Sequence, residues 1–223
     1  MSPLRIAIVG AESTGKTALA QALAERLGQL TTLRCTWVPE ALRQWCDSHG
    51  RTPMVHEQVT IADQQQRQID AAATTHDVVV CDTTPLMTAV YSDFVFNDSS
   101  LDAQAVAYQS RCDLTLLTAL DLPWVADGLQ RDGPQVREPV DARIRALLIE
   151  HGLAWCVVAG SGAARLEAAV DAVTPLLRRS VVAGSGLFSR LTQREAAAPE
   201  WRWACDECDQ PACEHRLLRQ RTG

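Results

Sequence analysis

The eight residues Gly10-Ala11-Glu12-Ser13-Thr14-Gly15-Lys16-Thr17 spell G-x-x-x-x-G-K-[ST] directly behind the apolar run Ile6-Ala7-Ile8-Val9. That succession leaves few folds open to the chain. The pattern makes a phosphate-binding loop only between a strand and a helix. The helix is signalled by Leu19, Leu23 and Leu27, which recur at helical spacing from Ala18 to Leu27, with Gly28 as its expected stop. Gly10 and Gly15 allow the backbone to turn tightly and bring its N–H groups against phosphate oxygens, where a Cβ would clash. The helix start adds the positive end of its dipole, so residues Gly10 to Ala18 form the expected phosphate cradle. Lys16 should reach the β- and γ-phosphates as a point charge, and the Thr17 hydroxyl should ligate Mg²⁺. Lys16 is the one lysine among 21 lysines and arginines, standing where such a loop requires it.

Further along, Leu33 to Val38 reads as a strand ending at Pro39-Glu40, and a helix carrying Arg43 and Trp45 is expected next. Val55 to Ala73 is helical in character and rich in glutamine. Val78-Val79-Val80-Cys81-Asp82 is a buried-strand run ending in an aspartate, the form of a Walker B element whose carboxylate sits beside the P-loop metal. Asp113 to Leu117 and Trp155 to Ala159 supply two more short apolar runs, with helices expected over Asp141 to Glu150 and Ala163 to Leu177. About five strands alternating with helices predict an α/β chain of the P-loop NTPase type, three layers deep, with a parallel sheet covered on both faces. Ligands of such sheets lie beyond the carboxyl ends of the strands, which places Glu40 and Asp82 at the site.

The segment from Asp121 to Arg137 is rich in glycine, proline and charge, and reads as a lid able to exclude water and bring Arg131 or Arg137 to a transferring phosphoryl group. Residues 1–180 are the expected catalytic domain, 181–200 a linker, and 201–223 a small Cys/His tail. Cys205, Cys208, Cys213 and His215 supply the donor types of a closed tetrahedral zinc site. Their final spacing is tighter than usual finger patterns, and free or transiently oxidised thiols are the other reading.

The net charge of −6 speaks against non-specific nucleic-acid binding. No apolar run approaches the roughly 18 residues that a membrane span needs, and the first strand starts too early for a signal peptide. A cytoplasmic protein with no membrane partner is expected.

Together these motifs resemble the ribosylnicotinamide kinase domain found at the C-terminus of bacterial NadR proteins and in related stand-alone AAA_28-type P-loop ATPases. The resemblance runs over about residues 4 to 178. It is carried by G-A-E-S-T-G-K-T, by Val38-Pro39-Glu40 with Arg43 and Trp45, and by Ile61-Ala62 with Gln66. It continues through Cys81-Asp82-Thr83 with Leu86, Thr88 and Tyr91, and through Leu122-Pro123-Trp124-Val125 with Asp127-Gly128. It implies a kinase that uses ATP and Mg²⁺ to phosphorylate the 5′-hydroxyl of nicotinamide riboside. Glu40 would orient or deprotonate that hydroxyl, and Asp82 would hold the metal, with the base role as its second option. Arg43 and Asp127 would belong to the acceptor site. Trp45, Tyr91 or Trp124 would offer a face to the cationic ring, core packing being the alternative for each.

The chain departs from the family pattern at Ala41, at Thr84, and at Gln130, where the lid arginine stands one place later as Arg131. These departures leave room for another nucleoside or small hydroxyl compound as acceptor. A regulatory ATPase whose tail docks a protein partner is a reading of a different class. A GTPase switch is disfavoured, because no Asn-Lys-x-Asp motif can exist with a single lysine and Asp82-Thr83-Thr84-Pro85 lacks the switch glycine.

Overall fold

The computed structural model describes residues 2–125 and 133–180. Arg131, Asp127, Gln130, the linker and the cysteine tail lie outside the described residues. Five parallel strands, β1 (Leu4–Val9), β2 (Cys35–Val38), β3 (Val78–Asp82), β4 (Leu114–Thr118) and β5 (Trp155–Val158), form one sheet in the order β2-β3-β1-β4-β5. β1 is central, with Ile8 opposite Asp82 on one side and Leu116 on the other. Because side chains alternate across a strand, Leu4, Ile6 and Ile8 face one layer and Val9 the other. The first layer is α1 (Lys16–Leu30) with α7 (Gly162–Ser180). The second holds α3 (Gln58–Ala73), α4 (Pro85–Phe96), α5 (Asp102–Gln109) and α6 (Arg137–Glu150). A short helix, α2 (Ala41–His49), follows β2, and a 3-10 turn, Val55–Glu57, leads into α3. β3 is buried along its whole length, as expected of a strand covered on both faces.

Several boundaries differ from the sequence reading, each for a packing reason. Gly28 does not stop α1. The helix continues to Leu30 and ends at Thr31, whose N–H and hydroxyl both donate to the Leu27 carbonyl at 3.0 and 2.7 Å. Leu30 packs on the core, which outweighs the roughly 1 kcal/mol cost of a mid-helix glycine. α6 starts at Arg137, four residues before the expected start, so the last residue of the expected lid is a buried helical residue. α4 and α5 have no counterpart among the expected elements. α4 buries Leu86, Met87, Ala89, Val90, Thr88 and Ser92 over less than two turns, so it lacks the one-sided apolar stripe by which helices are read.

Candidate active site

The site is built where the central strand ends. Gly10 has a φ of +152°, and a Cβ there would fall 2.0 Å from Thr118 Oγ1. The close approach is held by buried hydroxyls. Thr118 donates to Thr14 Oγ1 at 2.7 Å, its hydroxyl also within 3.1 Å of the Val9 carbonyl, and Thr14 donates to the Ala11 carbonyl at 2.8 Å. Gly15 caps α1 in the left-handed region (φ +74°) and supplies no side chain to the first N–H groups of the helix. Those groups are therefore available to an anion. Ser13 is also left-handed (φ +58°), a cost for a residue with a Cβ, and is fastened there from outside the loop. Its Oγ accepts the Val125 N–H at 2.7 Å and donates to the Val125 carbonyl at 3.0 Å. Lys16 Nζ donates to the Ala11 carbonyl at 3.0 Å, across the mouth of the loop.

Asp82 ends β3 beside this loop and is 1% exposed. The Thr17 hydroxyl lies beside its carboxyl. Burial raises the carboxyl above the ordinary carboxylate range, with Thr17, Lys16 and Arg43 pulling the other way. Oδ1 has no hydrogen-bond partner among the described residues. A buried carboxylate oxygen left unpartnered beside a hydroxyl is a hard-oxygen donor set that fits Mg²⁺. Among the described residues no cluster of three or more His, Cys, Asp or Glu is placed to hold a metal. The four expected zinc donors lie outside the described residues.

Three spaces run outward from the loop. A cavity of about 320 Å³ is walled by Ser13 to Ala18 together with Glu40 and Arg43. A recess of about 60 Å³ shares Ser13, Lys16, Glu40 and Arg43 with it and adds Glu12, Leu42 and Tyr91. Leu42 and Tyr91 in turn wall a third cavity of about 460 Å³, otherwise lined by Cys46, Arg51, Thr52, Pro53, Met54, Gln58, Val95 and Phe96. Glu40 and Arg43 thus stand on the border between the phosphate loop and the adjoining spaces. Their position is set by Gln65, whose buried Oε1 accepts the Ala41 N–H at 2.6 Å and whose Nε2 donates to the Pro39 carbonyl at 3.3 Å.

The structure brings Glu40, Arg43 and Tyr91 together but leaves the two tryptophans elsewhere. Trp45 is not among the lining residues. It stacks on His49 at 4.0 Å and carries the Arg51 guanidinium 4.8 Å from its ring. Trp124 instead leans on the P-loop, its Nε1 donating to buried Glu12 over a long 3.5 Å. Leu122 to Val125 are thus held against the loop, while Arg137 begins α6 with Nε and Nη2 buried and unpartnered among the described residues.

Thr84 does not face any of the three cavities. It is fully buried, donates to Gln109 Oε1 at 2.6 Å, and Gln109 Nε2 donates to Thr115 Oγ1 at 2.7 Å. Ala41, also fully buried, lines none of them either. Both departures from the family pattern sit in the packing behind the site. Arg165 is a further residue that sequence reasoning missed. Buried in α7, it donates to the carbonyls of Val158, Gly160 and Ala119 and to Asp121, fastening the ends of β4 and β5. Arg165 shares its helix with the exposed Asp171 and Arg178, so only its turn in the apolar stripe could have signalled it.

A family model described as an AAA domain, AAA_28, matches residues 5–165. Among solved structures, a NadR protein in complex with NR is similar with a TM-score of 0.64 at 18% identity, over 78% of this chain and 50% of that one. A NadR protein in complex with NAD and AMP-PNP is similar to the same degree, 0.64 and 18%, over 83% and 52%. Deoxyadenosine kinase from M. mycoides with bound products reaches a TM-score of 0.51 at 13% identity, over 78% of this chain and all of that one. At these identities the likeness is one of fold, and the chain spans about half the length of the NadR structures it matches. No curated protein matches the chain. Among the described residues no helix is long and apolar enough to cross a membrane.

Proposed function

Because the chain belongs to the AAA_28 family of AAA domains, we propose that it is an ATP- and Mg²⁺-dependent small-molecule kinase whose acceptor is the 5′-hydroxyl of nicotinamide riboside. The observation that carries this reading is the shared wall. Glu40 and Arg43 border both the phosphate loop and the recess beyond it, and the recess meets, through Leu42 and Tyr91, a cavity within the size range of small-molecule sites. A donor at the loop and an acceptor in the outer cavity would meet at Glu40.

Phosphoryl transfer is mostly positioning and charge stabilisation. The N–H groups of Gly10 to Ala18 and the Lys16 ammonium hold the triphosphate. Thr17 and Asp82 would hold Mg²⁺, which would neutralise phosphate charge. The acceptor oxygen bonds to the γ-phosphorus as the bond from that phosphorus to the bridging oxygen breaks and ADP leaves. The hydroxyl proton passes to the Glu40 carboxylate. Arg43 balances charge on the acceptor side, and Arg137, whose Nε and Nη2 are buried and unpartnered among the described residues, is the candidate for the charge that develops on the moving group. Arg131 would share that role, and Asp127 would belong to the acceptor site. Of the three aromatics expected at the acceptor, Tyr91 is the one that lines the cavity, together with Phe96. NR and AMP-PNP in the similarly folded NadR structures support this choice of acceptor and donor.

The test is ADP release from Mg²⁺-ATP across a panel of nucleosides, with mass detection of product. Nicotinamide mononucleotide formed with strong selectivity is the expected result. Another phosphorylated nucleoside would keep the kinase and replace the acceptor. ADP with no phosphorylated product would point to a regulatory ATPase.

A further inference from the structure

The outer cavity is mostly apolar, and its polar groups are therefore informative. Arg51 is charged but already committed: both Nη atoms donate to the Glu57 carboxylate at 2.7 Å, which holds that carboxyl down at about 2, and the guanidinium covers the Trp45 ring. The rim of the cavity is in effect neutral. Gln58 is different. It is the first residue of α3, 5% exposed, and it lines the cavity. Among the described residues its carboxamide neither donates nor accepts a hydrogen bond, and its polar atoms are not among those sealed from the cavity. Its donor and acceptor are therefore open to the cavity, where the polar edge of a ligand can take the place of water.

We propose that Gln58 is the specificity-determining residue of the acceptor cavity, reading a neutral donor–acceptor edge, such as a carboxamide, on a planar heterocycle. This rests on the kinase reading given above. A carboxamide presents one acceptor and two donors. Opposite another carboxamide both Gln58 groups are satisfied, Nε2 donating to the ligand carbonyl and Oε1 accepting its N–H. Opposite a carboxylate Oε1 meets an acceptor, and the paired Arg51 offers no uncommitted charge to compensate. The cavity should therefore take the amide-bearing riboside and reject its acid counterpart, a discrimination that hydrogen-bonding sites make well.

The experiment compares kcat and KM for nicotinamide riboside and nicotinic acid riboside in the wild type, Gln58→Leu and Gln58→Glu, with binding of a fluorescent ATP analogue reporting that each variant is folded. The wild type should favour the amide in kcat/KM. Gln58→Leu should raise KM for the amide by about 10- to 100-fold, as loss of two hydrogen bonds implies, change kcat little and erase the preference. Gln58→Glu keeps the shape but loses the donor, so it must also raise KM for the amide and must worsen the acid further. Unchanged KM and preference in a folded Gln58→Leu, or in Gln58→Glu should the leucine variant fail to fold, would overturn the role of Gln58 while leaving the kinase in place. A wild type that phosphorylates neither riboside removes the kinase reading, and this assignment with it.

Discussion

Substituting Gly10 by alanine tests the close approach on which the phosphate loop is built. The new Cβ would lie 2.0 Å from Thr118 Oγ1, 3.2 Å from Thr14 Oγ1 and 3.3 Å from Thr118 Cβ. Unstrained heavy atoms sit about 3.5 Å apart, so the Thr118 hydroxyl would have to retreat by roughly 1.5 Å. It cannot do so freely, because it is fully buried and donates to Thr14. Turning it away leaves a buried hydroxyl unsatisfied, at about 1–3 kcal/mol. The φ of +152° costs a residue with a Cβ about another 1–3 kcal/mol. The expected destabilisation is thus about 2–6 kcal/mol, a large share of the roughly 5–15 kcal/mol of a whole domain. Urea unfolding at 25 °C measures it, and a fluorescent ATP analogue should bind correspondingly weakly to the fraction that remains folded. Thr118→Ala removes the clashing oxygen, so the double variant should recover at least about 1 kcal/mol over the sum of the singles. A Gly10→Ala protein within about 0.5 kcal/mol of wild type, or strict additivity with Thr118→Ala, would refute the reasoning.

Asp82→Asn should abolish turnover yet stabilise the metal-free protein at pH 7. The folded carboxyl titrates above its unfolded value of 3.8 because burial penalises its charge, so the native state carries a cost above the folded value that vanishes as pH falls below the unfolded one. Melting curves of wild type and variant should therefore converge toward acid pH, and a variant less stable than wild type at pH 7 would contradict this. Glu40→Gln should lower kcat by about 100-fold or more if Glu40 takes the proton, whereas unchanged kcat with raised KM would make it a binding residue. Thr84→Val leaves Gln109 Oε1 without its donor and should cost about 1–3 kcal/mol in urea unfolding. Its kcat/KM should stay at the wild-type value, and a changed acceptor preference would place Thr84 at the site after all.

The loop after the first strand and the aspartate at the end of the third were readable from the chain because their geometry is local: Gly10 to Thr17 and Val78 to Asp82 are each one turn or one strand long. The five strands were readable for the same reason, as short apolar runs with polar ends. What spans distance was not. Gln65 pins Pro39 and Ala41 from 26 and 24 residues away, and nothing in a glutamine-rich helix marks that one of its four neighbouring amides is buried. Thr84 looked like a change in the acceptor pocket because it follows Asp82 by two residues. Its side chain in fact turns to Gln109 on α5, a helix without a counterpart among the expected elements. Trp45 follows Arg43 by two residues, a separation that turns side chains apart around a helix, and so one lines the cleft while the other stacks outside it. Gln58 carried no signal at all, since only the cavity beside it distinguishes it from its polar neighbours.

The position of β1 at the centre of the sheet also sets an order of events during synthesis. Leu4 pairs with Val78, and Ile6 with Leu114, contacts 74 and 108 residues apart in the chain. Ribosomes add about 5–20 residues each second, so the apolar strand that carries the phosphate loop waits roughly 5–20 seconds for its second flank. Until β3 emerges both edges of that strand are open, and until β4 emerges one of them can still pair with any passing chain. A nascent protein of this topology is thus most exposed to aggregation through the very strand that leads into the loop proposed to hold nucleotide, and occupancy of that strand by a chaperone before β4 emerges would shape its yield in the cell.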